Sequence, residues 1–153
     1  MTASGGNVFS SLMHLSDTQT YWLLQALASL FLAILFLQSG IDKNVDRRGN
    51  LDFLTGHFAK SPLAKTVGPM FLTMTILEML SGLLSGIGFL LVVFRHSPDL
   101  AFYGAVLSAV SLCALFFGQR VAKDYAGAAV LVPYFLLVLA AMWLLGTAHL
   151  VTI

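Results

Sequence analysis

Four long apolar stretches, separated by short polar segments, dominate the pattern of hydrophobic and polar positions along the chain. They run over about 21–41, 66–94, 100–117 and 126–151. A helix needs about 20 mostly apolar residues to cross the roughly 30 Å hydrocarbon core of a bilayer, and open structures with unpaired backbone groups are excluded from lipid. The pattern therefore predicts an all-α integral membrane four-helix bundle, with residues 1–153 forming a single transmembrane domain.

Composition strengthens this prediction and narrows the class of partner. The 153 residues are 58% hydrophobic and 10% charged, and a soluble globule of this length would have too little polar surface to cover such a core. The net charge of +1 gives no basic surface for nucleic acid. The single cysteine, Cys113, rules out an internal disulfide. The expected partner is the lipid bilayer, and no nucleic-acid partner is expected.

The basic residues are distributed unevenly between the two ends of the expected bundle. Seven of the eight lie in the loop over 42–65 or in the third loop, and these are Lys43, Arg47, Arg48, Lys60, Lys65, Arg120 and Lys123. Arg95 alone lies in the second loop. Cytoplasmic loops carry the excess of Lys and Arg in membrane proteins. We therefore expect the first and third loops in the cytoplasm and both termini outside.

The loop over 42–65 also contains the signs of a short amphipathic helix. Asn50 is a suitable N-cap, and Leu51, Leu54 and Phe58 follow at a spacing that places them on one helical face. Such a helix would lie on the cytoplasmic membrane surface. An ordinary surface loop explains the same residues equally well, so both interpretations stay open at this point.

Glu78 is an acid within the second apolar stretch, close to the expected middle of the membrane. Acids at that depth usually face the interior of a bundle, pair with another group and mark a functional path. Gly82 and Gly86 follow at intervals of four, which places all three on one face and favours a close helix contact there. Glu78 is therefore expected inside the bundle, either as a catalytic, proton-exchanging acid or as a protonated group that only joins two helices.

Polar residues also gather where the first and third spans end, and both ends should lie in the cytoplasm. The expected ligand-binding residues among them are Gln38, Lys43, Gln119, Arg120, Lys123 and Asp124. One interpretation is a set of charges that anchors helix ends at the lipid headgroups. The other is a polar entrance toward Glu78 for an anionic or carbonyl-bearing ligand.

No histidine lies in mid-span, so no metal site is predicted.

Three segments resemble the DoxX family of small four-helix membrane proteins. They are FLQSGIDK over 36–43, LEMLSGLLSGIG over 77–88 and GQRVAKDYAGAA over 118–129. The positions matched to the family pattern are Gly40, Lys43, Glu78, Gly82, Gln119, Arg120, Lys123 and Asp124. The family is associated with membrane oxidoreductase systems, including a subunit of thiosulfate:quinone oxidoreductase, so the resemblance implies a quinone-linked subunit with quinone as its cofactor.

Other functions remain open from the sequence. Relatives of this broad fold also act as accessory membrane proteins, so the alternative is a non-catalytic accessory or assembly subunit of a larger membrane complex. Proton conduction or small-solute transport is a third possibility, although the chain has no pair of broken helices. We expect a multi-pass protein of the prokaryotic cytoplasmic membrane, associated with other membrane subunits or with further copies of itself.

Overall fold

The computed structural model describes residues 17–147, and this part of the chain is helical almost throughout. Its helices are α1 Asp17–Val45, α2 Arg47–Phe58, α3 Val67–Arg95, α4 Asp99–Val121 and α5 Tyr125–Gly146. A short 3-10 turn, Ala64–Thr66, leads into α3. The helices α1, α3, α4 and α5 are long and apolar enough to cross a membrane. The prediction of an all-α four-helix membrane bundle is therefore confirmed.

The four long helices pack in a simple spatial order. Helix α3 lies between α1 and α4, while α5 packs mainly on α4 and touches α1 less. Their shared core includes Leu32, Phe36, Val92, Ala105, Leu112, Val138 and Leu145. Only 22–33% of the residues in the central apolar part of each helix are buried inside the bundle. The remaining apolar side chains face outwards, as expected for helices that lipid surrounds.

The loop over 42–65 is mostly helical, but it begins differently from the prediction. Helix α1 continues to Val45, and Asp46 caps α2 by accepting a hydrogen bond from the Gly49 backbone N–H at 3.1 Å. The prediction of Asn50 as the N-cap is wrong, because Asn50 lies inside α2 and its amide donates to the Asp46 carbonyl at 2.8 Å. Asp46, which directly precedes the first residue of α2, fills the cap position.

The apolar face of α2 is present and points to the bundle. Phe58 is buried, with 4% of its surface exposed, and Leu51 and Leu54 are half-buried. The ring of Phe58 reaches Gly118 of α4, where an added Cβ would lie 3.6 Å from the ring. Phe53, by contrast, is exposed. The amphipathic pattern therefore docks α2 onto the ends of the long helices, with Phe53 largely exposed at the edge of the docked face.

Two opposite charges that are four positions apart in the sequence lie on different helices, on either side of the turn between α4 and α5. Arg120 belongs to the last turn of α4, whereas Asp124 caps α5 by accepting from the Gly127 backbone N–H at 2.8 Å. Lys123 between them has a left-handed backbone, with φ of 62°. Pro133 lies inside α5, whereas Pro69 falls in the first turn of α3, where proline is well tolerated.

Glycine permits a close approach between α1 and α3. A Cβ added at Gly82 would lie 2.7 Å from the Leu37 backbone nitrogen, and one added at Gly86 would lie 3.6 Å from the Ala33 Cβ. The first distance is too short for any side chain, whereas the second is ordinary van der Waals contact. The expected small-residue contact is therefore real, and Gly82 rather than Gly86 sets the helix separation.

We expect Gly82→Ala to lower the stability of the bundle by about 1–3 kcal/mol, because the added methyl group forces α1 away from α3. Gly86→Ala is the matched control, since it adds the same methyl group to the same helix where space exists. Thermal unfolding of both variants in the same detergent, followed by circular dichroism, measures the difference. Equal unfolding temperatures for the two variants would contradict this account of the contact.

Candidate functional site

Glu78 is buried between α1 and α3 and forms an ion pair there. Its side chain is 1% exposed, and its Oε2 lies 2.7 Å from the Lys43 Nζ. The Ser39 hydroxyl donates to the same oxygen at 2.9 Å, and the Lys43 ammonium also donates to the Ser39 oxygen at 2.8 Å. Ions taken out of water need a partner and further hydrogen bonds. Lys43 and Ser39, one helical turn apart on α1, provide both.

The partner also determines where in the bundle the acid lies. Lys43 belongs to the last turn of α1, so the ion pair lies toward the end of the bundle that holds α2. Along α3, Glu78 is nearer to the helix start at Val67 than to its end at Arg95. The acid therefore lies deep in the half of the bundle that α2 covers, within reach of a cation whose stem extends from the end of α1.

A cavity of about 130 Å³ lies beside this ion pair, beneath α2. Most of its wall is apolar, formed by Phe53, Leu54, Phe58, Met70, Phe71, Met74, Ala114 and Leu115. Its polar lining comes from Lys43, His57, Gln119 and Asp124. Four helices and the α5 cap residue therefore contribute to one small cavity with an apolar body and a polar part, which is the usual construction of a small-molecule site.

A second polar group joins α2 to the turn between α4 and α5. The His57 Nε2 lies 3.2 Å from the Gln119 Oε1 and 3.6 Å from the Asp124 Oδ2. The His57 ring stacks against Phe53 at 5.7 Å and meets Phe58 edge-on at 5.1 Å. Because Nε2 faces two oxygen atoms, it carries the proton in this arrangement. These contacts hold His57 in the cavity wall between aromatic rings and acceptors.

Half of the expected ligand-binding residues meet at this cavity, and half do not. Lys43, Gln119 and Asp124 line it, which brings the ends of the first and third spans together as expected. Gln38 is exposed on α1. Lys123 is also exposed, and the exposed Arg120 lies over the Tyr125 ring with its Cζ 4.7 Å from the ring centroid. These last three residues are outside the cavity lining.

His57 is the residue that sequence reasoning misses. The sequence places it in the cytoplasmic loop, away from every span, and only the docking of α2 brings it over the cavity. One signal was available, because His57 lies next to Phe58 and three positions after Leu54, on the predicted apolar face. A histidine on the buried face of an amphipathic helix is a candidate for contact with whatever that face covers.

The opposite end of the bundle is joined by uncharged hydrogen bonds. The Trp22 indole N–H donates to the Val92 carbonyl at 2.9 Å, and the Gln25 amide donates to the Leu144 carbonyl at 3.1 Å. These two side chains connect α1 to α3 and to α5. Over residues 17–147, no group of three or more His, Cys, Asp or Glu side chains could hold a metal ion. His14 and His149 lie outside the described residues.

Comparison with known proteins gives no further assignment, since no family model, no curated protein and no solved structure matches this chain.

We expect Lys43→Met to destabilise the bundle by about 3–5 kcal/mol, because it leaves the Glu78 carboxylate buried without its cation. The double variant Lys43→Met/Glu78→Gln removes the charge as well and should recover much of that loss. Lys60→Met, at an exposed position of the same loop, is the control. Chemical unfolding in detergent measures all three variants. A double variant that is no more stable than Lys43→Met would contradict the account of a buried, unpaired carboxylate.

Proposed function

We propose that this chain is the membrane subunit of a quinone-linked oxidoreductase, and that the cavity beneath α2 receives the ring of the quinone. The observation that carries the proposal is the cavity itself, with an apolar wall and a polar lining that includes Lys43, the partner of the buried Glu78. The proposal assigns Lys43, His57, Gln119 and Asp124 to ligand binding. It assigns Glu78 to proton exchange.

The size of the cavity suits a single ring. Its volume is about 130 Å³, close to the roughly 150 Å³ of a protein cavity that binds one benzene molecule. Phe53, Phe58 and Phe71 contribute aromatic surface to its wall, and aromatic side chains pack well on a flat ring. Met70 and Met74 are flexible side chains that adapt to the shape of a ligand. A quinone ring has the dimensions and the flat apolar faces for this cavity.

The charges around the cavity favour a neutral ligand over an anion. Lys43 is neutralised by Glu78 at 2.7 Å, and Asp124 adds a carboxylate to the lining. The cations that would attract an anion, Arg120 and Lys123, lie outside it. Of the anionic and carbonyl-bearing ligands that the sequence leaves open, the carbonyl-bearing one therefore agrees better with the structure. A quinone is neutral and carries two carbonyl oxygens.

A quinone also needs a proton route, and the ion pair offers one. Reduction of a quinone to a quinol takes up two electrons and two protons; the electrons would come from a redox partner subunit. Lys43 contacts Glu78 and lines the cavity, so it lies between the buried acid and a bound ring. In this proposal Lys43 donates a hydrogen bond to a ring oxygen, and Glu78 exchanges protons through Lys43.

The three segments that resemble the DoxX family converge on this site. The first contains Ser39 and Lys43, the second contains Glu78, and the third contains Gln119 and Asp124. Residues that are far apart in the chain thus form the ion pair and the polar lining of one cavity. Their convergence supports membership of that family and the quinone-linked function that it implies.

A non-catalytic accessory subunit is the second candidate, and one observation favours it. The Glu78 carboxylate already has a cation and a hydroxyl donor, so the acid could serve only to hold α1 against α3. The chain would then act through its exposed apolar helix faces, by association with other membrane subunits or with further copies of itself.

We expect a quinone to co-purify with the native protein in mild detergent, at about one molecule per binding site, as detected by mass spectrometry. Ala114 is exposed and lines the cavity, so Ala114→Phe adds a bulky ring to the cavity wall and should reduce the bound quinone at least fivefold. Ala140→Phe, which places the same side chain at an exposed position of α5, should leave it unchanged. A quinone-free protein that co-purifies with a stoichiometric partner protein would instead support the accessory function.

We expect Glu78→Gln to slow quinone-dependent electron transfer by roughly 100-fold or more in membranes that contain the native partners, the usual range for loss of a proton-transfer group. The amide keeps the shape of the side chain but cannot exchange a proton. Quinone content of the same membranes is the control measurement. Unchanged electron transfer at unchanged quinone content would remove Glu78 from the proton route.

A further inference from the structure

The polar lining of the cavity contains two similar arrangements of a proton donor and a carboxylate. In one, the Lys43 ammonium lies 2.7 Å from the Glu78 carboxylate. In the other, the His57 ring nitrogen lies 3.6 Å from the Asp124 carboxylate. The first comes from α1 and α3, whereas the second comes from α2 and the α5 cap. Two independent parts of the fold therefore bring a donor backed by an acid to the same cavity.

The Lys43 ammonium and the His57 ring can each form one more hydrogen bond than those that they make within the described chain. An ammonium group has three N–H donors, and Lys43 uses one for Glu78 and one for Ser39. An imidazole has two nitrogens that can serve as donor or acceptor, and the contacts to Gln119 and Asp124 involve only Nε2 of His57. The third lysine N–H and the His57 Nδ1 are thus available to a ligand.

We propose that the cavity recognises two oxygens of one ring at the same time, with Lys43 at one oxygen and His57 at the other. This inference rests on the proposed function and extends it to the class of ligand. The preferred ligands are rings with two oxygens of which one is a hydroxyl, as in a quinol, and a ring with a single oxygen binds less well. The lysine donates to a carbonyl or hydroxyl oxygen. The histidine, whose proton is on Nε2, accepts from a hydroxyl through Nδ1.

Lys43 and His57 are held in place by different contacts, so mutations can test the two residues separately. Lys43 is part of the buried ion pair, so its loss disturbs the packing of α1 on α3. His57 lies on α2 and is held by Phe53 and Phe58 in addition to its polar contacts. Replacement of His57 by Phe keeps an aromatic ring between them and removes only the nitrogen atoms.

The test compares two tailed ligands that differ by one oxygen atom, decyl-1,4-hydroquinone and decylphenol. Dissociation constants are measured by isothermal titration calorimetry with the full chain in lipid nanodiscs, and protein-free nanodiscs correct for partition into lipid. We expect the wild-type protein to bind the hydroquinone about tenfold more tightly than the phenol, the effect of one additional hydrogen bond. In His57→Phe, that ratio should fall to about one.

Two further variants separate recognition from structural damage. Phe53→Leu weakens the aromatic packing around His57 but keeps its nitrogens, so both ligands should lose affinity equally and the tenfold ratio should persist. Lys43→Met/Glu78→Gln removes the other oxygen contact without leaving a buried charge, and its ratio should also fall to about one. A ratio that survives in both His57→Phe and the double variant would overturn the two-oxygen proposal.

The wild-type measurements distinguish this inference from the proposed function. Equal binding of the hydroquinone and the phenol would overturn the recognition of two oxygens while leaving a ring-binding cavity. Absence of binding for both ligands, beyond partition into the nanodisc lipid, would overturn the ring-binding cavity and the inference together.

Discussion

The ion pair between Lys43 and Glu78 is the constraint on which the arrangement of the other parts depends. An ionised acid buried between two helices needs a cation, and the cation that Glu78 meets is at the end of α1. For the two groups to meet at 2.7 Å, α1 must continue past the apolar stretch as a helix and lie alongside α3 at one register. Gly82 permits that register because Leu37 occupies the space that a side chain would need.

The position of α2 follows from where α1 ends. Asp46 stops one helix and caps the next, so the chain turns sharply and lays the apolar face of α2 over the ends of α3 and α4. Phe58 reaches Gly118, and His57 reaches Gln119 and Asp124. The space left between these contacts is the cavity. A helix that would otherwise lie on the membrane surface thus becomes the cover of a site, with the buried acid beside it.

The α3–α4 contact is held in a different way from the α1–α3 contact. Ser81, Ser85, Ser108 and Ser111 are fully buried there, and Gly88 and Gly104 bring the two backbones close to Ala101 and Ser85. In lipid there is no hydrophobic driving force between helices. Small side chains let two helices approach closely, so that close packing holds them together instead. Three of these hydroxyls bond to carbonyls one turn earlier in their own helix, whereas the buried Ser85 hydroxyl has no hydrogen-bond partner among the described residues. This contact therefore contains no charged group, and the ion pair lies between α1 and α3 instead.

The length and apolarity of the spans are local properties of the chain, and the sequence alone determined the number of spans and the all-α membrane fold. It also indicated that Glu78 faces a close helix contact, because this acid is followed by two glycines at helical spacing. The tertiary structure decided which polar groups meet. Arg120 and Lys123 are close to Gln119 in the sequence, yet at the end of α4 their side chains are exposed and lie outside the cavity. His57 lines the cavity although it belongs to a different helix. Which side chains share a cavity depends on helix register and on the docking of α2, and both are set by contacts between residues far apart in the chain.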